Sequence, residues 1–483
     1  MKSGKWVTGW ICIVLCLLLV IACTVYRIDP FIHYHKPLTD KYFYTLNNQR
    51  SQNDGIIRFF DYDAVITGSS MAQNFLSSEM DDLYGCNSIK VTYPGASFNE
   101  VNQAIELALD THPEVKVVVR CLDDARFDDP ADIMRTDLGV FPTYLYDDNV
   151  FNDVKYIFNR DVFFPRTMAM IIDSLGKDNK TGITSFDVYS RWQESYKFGI
   201  NEGVKVLSGE ALRYEEPESY QHLTEEEREL IKANIEQNVT SLADKHKDVT
   251  FEYFLTPYGI AAWCKLKYTG RLYKRIEAEK YVAELILPHE NIHLYGFNDR
   301  QDILTDLNNY RDQTHYGSWV NSLMLKWMHD GKYRLTPDNY KEYFEREEDF
   351  FVNYDYESLE GQQDYEADFF AGALLNNELT GAEPVSLLAD ENTTVDSIET
   401  EADLNDGHNY LSFYGQVIED GALPDVHVYD ENGEVVGEVV DNYENIDKNL
   451  HQYVIDLSMA RGKVKIVLGK SKKQYQYSKI TLY

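Results

Sequence analysis

The chain has 483 residues and a formal net charge of −34, from 80 Asp and Glu against 46 Lys and Arg. That length holds two or three domains, and 44% hydrophobic with 13% aromatic residues supplies a packed core, which excludes a wholly disordered chain. The charge repels phosphate backbones and argues against a nucleic-acid partner; six Cys with no Cys-x-x-Cys pair exclude a thiolate zinc site.

Lys2 and Lys5 precede an uncharged run from Trp6 to Val25. Twenty helical residues span about 30 Å, the thickness of the bilayer hydrocarbon. Basic residues before the span and a long acidic chain after it predict a single-pass cell-membrane anchor over 6–26. Its N-terminus lies inside and the bulk of the chain outside. Two other readings stay open. One is a cleaved signal peptide; the other is a lipoprotein, because Val20–Cys23 (VIAC) loosely resembles a lipobox. Cys12, Cys16 and Cys23 lie in the span. Only Cys86, Cys121 and Cys264 remain, an odd number, so the rest is no disulfide scaffold.

A polar and aromatic neck follows over 27–54. Strands and helices then alternate. Tyr62–Thr67 reads as a strand, Met71–Leu83 as a helix, Ser88–Thr92 as a strand and Phe98–Leu109 as a helix. Val115–Arg120 (VKVVVR) is β-branched and fits a buried parallel strand. These steps predict an α/β domain over 55–335. The rhythm breaks at 123–219, read as an insertion with a helix around Asn152–Phe158. It returns with a helix from Thr224, in capping-box spacing with Glu227, to about His246. A strand Val249–Leu255, a helix Leu272–Leu287, a strand Asn291–Phe297 and a helix Tyr316–His329 close the set. Trp319 and Trp327 on that last helix read as core.

Residues 351–447 hold 25 Asp and Glu and no Lys or Arg. The region 336–384 reads as an acidic helical connector. Beyond it, Asn409–Gln416, Pro424–Tyr429, Val435–Val440, Gln452–Leu457, Lys463–Leu468 and Tyr477–Leu482 read as short strands between turn signals. They predict a small β-sandwich over 385–483.

Three short motifs carry candidate chemistry. Gly68-Ser69-Ser70 follows the first strand, where open α/β sheets bind ligands and helix-terminal N–H groups stabilise negative charge. Gly95, in Tyr93-Pro94-Gly95, follows the second strand and lets a backbone N–H approach an oxyanion. Asp312-Gln313-Thr314-His315 follows the last strand. An Asp three residues before a His can fix the imidazole tautomer, which leaves the other nitrogen to take a proton from a hydroxyl. Separately, each is an ordinary turn or cap. Together they fall at points that an open sheet can carry to one edge.

This constellation resembles the SGNH/GDSL hydrolase superfamily. It is most similar to the membrane-anchored branch that includes the D-alanyl transfer protein of lipoteichoic-acid biosynthesis and the alginate and peptidoglycan O-acetylation proteins. The resemblance covers about residues 55–330 and implies a three-layer α/β/α fold with a mostly parallel sheet. It implies Ser70 as nucleophile, His315 as base, Asp312 as its orienting partner, and the N–H groups of Ser70 and Gly95 as oxyanion donors. Gly-Ser-Ser stands where most members have Gly-Asp-Ser, so Ser69 occupies the Asp position. The family's Gly-x-Asn-Asp block is replaced by Cys121-Leu122-Asp123-Asp124. Asn74 and Asn99 are the substitutes considered for its Asn, and Arg120 and Arg126 are candidates to meet an anionic substrate.

The resulting expectation is an extracellular serine esterase or O-acyltransferase of a Gram-positive cell envelope. Its acceptor is a cell-wall glycan or teichoic-acid-like polymer, and a multipass membrane O-acyltransferase is its implied partner. The alternative is a catalytically inactive glycan-binding or scaffold protein, with Tyr410, Phe413 and Tyr414 as a stacking platform. No catalytic cofactor is expected. Asp425, Asp430 and Glu431 offer either Ca²⁺ ligands or solvated turn residues. His289 and His293 read as unrelated rather than as a metal pair.

Overall fold

The computed structural model describes residues 2–482 apart from 136–140, 148, 177–179, 194–195, 197, 205–213, 362–384, 389–392, 405–409, 418–425, 437, 446–449, 458–459 and 470–474. The chain forms two compact units. One comprises Met1–Arg120, Asp129–Ser190 and Glu236–Phe251; the other comprises Cys121–Asp128, Arg191–Ile235 and Glu252–Tyr483.

Helix α1 (Lys2–Ile28) is followed by α2 (Gln49–Phe59), β1 (Ala64–Gly68), α3 (Ser77–Tyr84), β2 (Ser88–Thr92), α4 (Phe98–Thr111) and β3 (Val117–Leu122). Among the described residues α1 is the one helix long and apolar enough to cross a membrane, consistent with a membrane-associated protein. Strands β1, β2 and β3 pair in parallel, Ala64 opposite both Ser88 and Val117. Every residue of β1 and β2 is buried, as expected for strands covered on both faces. Helix α4 begins with a complete capping box, Ser97 with Glu100, and buries Val101, Ile105, Ala108 and Leu109 at helical spacing.

Two of the expected helices are interrupted. The helix expected over 71–83 is split into a 3₁₀ turn, Ser70–Ala72, and α3. Between them the carbonyls of Gln73 and Phe75 accept hydrogen bonds from the buried Lys90 ammonium, at 2.9 and 2.8 Å, instead of helical N–H groups. The helix expected over 224–246 runs as Glu225–Ile235, a π turn over Glu236–Thr240, then Ser241–Lys245. At this π turn the Asn238 carbonyl accepts a 2.6 Å hydrogen bond from the Arg120 guanidinium. The expected capping contacts of Thr224 with Glu227 are present.

In the segment read as an insertion, α5 (Val154–Ile157), α6 (Arg160–Val162) and α7 (Ala169–Leu175) are short, with a π segment at Phe163–Met168 between the last two. Helix α8 (Glu225–Ile235) leads to β4 (Thr250–Leu255), α9 (Ile260–Tyr268), α10 (Leu272–Ile286), β5 (Ile292–Gly296), α11 (Ser318–His329), β6 (Arg334–Leu335) and α12 (Tyr340–Asn353). The strand order is β2-β1-β3-β4-β5-β6, with β6 antiparallel to β5, so the sheet is mixed. Trp319 and Trp327 are buried, as expected of core residues.

The C-terminal strands are β7 (Val385–Ser386), β8 (Ile398–Asp403), β9 (Tyr410–Val417), β10 (Val426–Tyr429), β11 (Glu438–Asn445), β12 (Leu450–Asp456), β13 (Lys463–Leu468) and β14 (Tyr475–Leu482). They form a three-stranded sheet, β8-β13-β10, and a five-stranded sheet, β11-β12-β9-β14-β7. One buried cluster draws Val428, Val464 and Ile466 from the first and Leu411, Phe413, Tyr453 and Tyr477 from the second. None of the six cysteines is in a disulfide.

Candidate active site

In the second unit, the Asp-x-x-His sequence folds into a closed loop. Tyr310 and Tyr316 bridge its ends, and the Arg311 N–H donates to the His315 carbonyl at 3.0 Å. Both tyrosines are fully buried, and the Tyr310 hydroxyl donates to the Pro257 carbonyl at 2.9 Å. Within this frame the loop wraps around its own carboxylate. Asp312 Oδ1 accepts the N–H groups of Thr314 and His315, each at 2.9 Å. His315 Nδ1 lies 2.8 Å from Oδ2 and 2.9 Å from Oδ1.

This geometry puts the imidazole proton on Nδ1 and the basic lone pair on Nε2. Burial alone would raise the Asp312 carboxyl. The hydrogen bond and charge of His315, with the two loop N–H groups, outweigh it and hold the group well below the usual carboxylate range.

Residues that the sequence reading did not single out complete this surrounding. Trp192 packs edge-on against the His315 ring, with centroids 5.5 Å apart. The Arg311 guanidinium lies 4.1 Å from the Trp192 ring centre and 3.7 Å from that of Tyr196, and its Nε is 3.3 Å from Asp312 Oδ2. The Gln193 side chain accepts the Ser318 N–H at 2.8 Å, at the start of α11. A tryptophan in a polar stretch, Arg191–Glu194, was the only signal, and nothing in its spacing pointed 123 positions ahead.

In the first unit, Ser70 opens the 3₁₀ turn directly after β1, half-buried. Ser69 caps that turn, its hydroxyl accepting the Met71 N–H at 3.2 Å. Asn74 is fully buried in the following loop. The adjacent strand end carries Gly95, whose φ of 59° lies in the left-handed region that favours glycine. Its loop is gripped by two cations. Arg50 donates to the Pro94 carbonyl at 3.1 Å, and Arg135 donates to the Gly95 carbonyl at 2.5 Å. Glu100 accepts from Arg50 and from the Arg135 N–H. Lys90 holds the loop after Ser70 through the two carbonyls named above. A lysine in the middle of a buried strand was its signal.

The remaining candidates are placed as follows. Asn99 lies on the first turn of α4 and donates to the Asp132 carbonyl at 3.2 Å. Arg120 is fully buried, bonded to the Asn238 carbonyl and stacked 5.0 Å from the Phe98 ring centre, so no part of it reaches solvent. Arg126 ends a 3₁₀ turn, Asp124–Arg126, and its carbonyl accepts from Asn234 at 2.8 Å. Asp123 accepts the Tyr258 hydroxyl at 3.2 Å, and Asp124 is paired with Arg275. His293 pairs with Glu252 at 3.2 Å.

In the C-terminal region Phe413 is buried core, while the side chains of Tyr410 and Tyr414, and the whole of Asp425, lie outside the described residues. Asp430 accepts the N–H groups of Asn432 and Glu434 in a turn, and Glu431 is exposed beside it. Among the described residues no group of three or more His, Cys, Asp or Glu is arranged to hold a metal ion. No protein-family model, curated protein or solved structure matches the chain.

Proposed function

We propose that the chain is a membrane-anchored serine esterase or O-acyltransferase acting on acyl esters of cell-envelope polymers, with the bulk of the chain outside the cell. The observation that carries this reading is the Asp312–His315 dyad, whose loop fixes the tautomer that a general base requires.

In the proposed reaction Ser70 Oγ attacks the ester carbonyl carbon while His315 Nε2 takes its proton. The N–H groups of Ser70 and Gly95 receive the oxyanion. Nε2 returns the proton to the leaving alkoxide as the carbon–oxygen bond breaks, and an acyl-Ser70 ester remains. Water or a polymer hydroxyl then attacks that ester and gives its proton to Nε2, and Ser70 recovers it. A water acceptor makes an esterase; a glycan or teichoic-acid hydroxyl makes a transferase.

The C-terminal sheets with their common core support a β-sandwich reading of 385–483, and the absence of structural matches leaves the SGNH-type fold as part of the proposal. The proposed transferase receives its acyl group from a multipass membrane acyltransferase. Purification of the cross-linked chain from native membranes tests this, and recovery of no such protein removes it.

A second reading, an inactive glycan-binding scaffold, is favoured by one observation. The stretch after β3 offers Asp123 and Asp124, tied to Tyr258 and Arg275, where a third oxyanion donor would stand. The two readings separate in a burst assay of the full chain in nanodiscs with p-nitrophenyl acetate. A first-turnover release lost in Ser70→Ala supports the enzyme; equal release from the variant overturns it.

A further inference from the structure

The exit of α1 is welded to the helices of residues 150–175. Ile21 and Val25, on the last turns of α1, pack in one apolar cluster with Leu145, Tyr156, Val162 and Phe163. The weld is also polar. Asp29 is fully buried and accepts the Tyr156 hydroxyl at 2.8 Å and the N–H groups of His33, Tyr34 and His35. Burial raises its carboxyl, against the pull of those donors.

The same segment carries large apolar side chains that are uncovered, interspersed with the exposed charges of Lys155, Arg160, Asp161 and Asp173. Phe151 is 85% exposed, Phe164 62%, Ile172 63% and Leu175 81%. Five of the seven residues of α7 are apolar, and none of its residues is buried. Phe164, Met168, Ile172 and Leu175 recur at steps of four, four and three. An uncovered set of large apolar side chains on a folded protein marks an interaction surface.

Three things on this face fit lipid. The segment that bears it packs, through Val162 and Phe163, in the cluster with Ile21 and Val25 of the helix that is long enough to enter a membrane. From Tyr26, itself exposed near the end of α1, back to Ile21 is five residues, a rise of about 8 Å, which matches the depth of about 5–10 Å at which interfacial helices lie. Residues 150–176 also carry Lys155, Arg160 and Arg166 against Asp153, Asp161 and Asp173, so they are locally neutral in a chain of charge −34. An anionic headgroup layer does not repel them.

We propose that residues 150–175 form an interfacial collar that rests on the bilayer around the exit of α1, at the boundary between headgroups and acyl chains. The collar depends on α1 being a membrane helix and on no enzymatic reading. Its role is to seat the first unit at the bilayer surface rather than leave it tethered by a free neck.

The test uses the full chain in nanodiscs of phosphatidylcholine and phosphatidylglycerol that include a diazirine-acyl phosphatidylcholine. After irradiation, adducts are mapped by mass spectrometry. The collar predicts adducts on 150–175 as well as on α1. In a Phe164→Asp, Leu175→Asp variant those on 150–175 fall about tenfold while those on α1 persist, because both changes are at exposed positions and repel the acyl layer. Adducts confined to α1, or spread evenly over the chain, overturn the proposal. In native membranes, benzoylphenylalanine at position 164 must cross-link lipid; a cross-link to a protein instead overturns the assignment to lipid.

Discussion

His315 Nδ1 lies 2.8 Å from one oxygen of Asp312, while the other oxygen accepts two N–H groups of the same five-residue loop. The carboxylate is thus at once the loop's fold and the imidazole's orienter. Asp312→Asn keeps an oxygen for the backbone but offers an amide N–H group toward Nδ1, which moves the imidazole proton to Nε2. With Ser70 as nucleophile, the rate of labelling by a fluorophosphonate is expected to fall about 10³–10⁴-fold. Circular dichroism is expected to show an unchanged fold. Equal labelling rates in the two proteins would show that the dyad is not a base.

Glu347 on α12 makes a pH-dependent prediction. It is buried on all sides, and burial first, then the neighbouring Glu279, push its carboxyl well above the ordinary value of 4.5. Glu279 is in turn paired with Arg275 at 2.6 Å. The folded state therefore binds the Glu347 proton more tightly than the unfolded chain does. This contribution to stability is complete below pH 4.5 and is lost as pH rises from there through the raised folded value. Glu347→Gln mimics the protonated group. Its melting temperature is expected to exceed that of the parent at pH 7.5 and to match it near pH 4. The same difference at both values would rule out a titrating Glu347.

Lys90 makes a prediction about the turn that presents Ser70. Lys90→Met fills similar space but leaves the carbonyls of Gln73 and Phe75 without their ammonium donor. The loss of these charged hydrogen bonds, with the longer one to the Asp187 carbonyl, is expected to cost about 2–4 kcal/mol in urea unfolding. Hydrogen exchange at residues 70–76 should quicken by more than at α4. Unchanged exchange there would mean that the loop holds itself.

Gly296, the last residue of β5, is a packing requirement. A Cβ at that position would lie 2.6 Å from Cζ of Tyr343, whose hydroxyl accepts the Asn298 N–H. Gly296→Ala must push the ring away, at a cost of about 1–3 kcal/mol measured by thermal or urea unfolding. A neutral substitution would show that α12 is free to shift.

What could be read in the sequence was local. Val117–Leu122 is a strand because β-branched residues fit a surface buried on both sides, and its composition says so. The Asp-x-x-His loop was legible because both partners lie within four positions. The hidden parts depend on distant partners. Lys90 splits a helix by drawing in carbonyls from 15 and 17 positions away. Asn238 sits in a π turn whose carbonyl meets Arg120, 118 positions earlier. Trp192 reaches His315 from a stretch with no periodic pattern, and β6 has two residues, too few to show a period. The side chain of Arg120 looked like a charge at a strand end. Its burial became visible only with the helix that covers it.

The most direct measurement is intact-protein mass spectrometry of the full chain in nanodiscs after exposure to a fluorophosphonate, beside Ser70→Ala and His315→Ala. The account predicts a single adduct on the parent chain, located at Ser70 by peptide mapping, and none on either variant. An adduct that persists in Ser70→Ala, or a parent chain that takes none between pH 6 and 9, would contradict an activated Ser70.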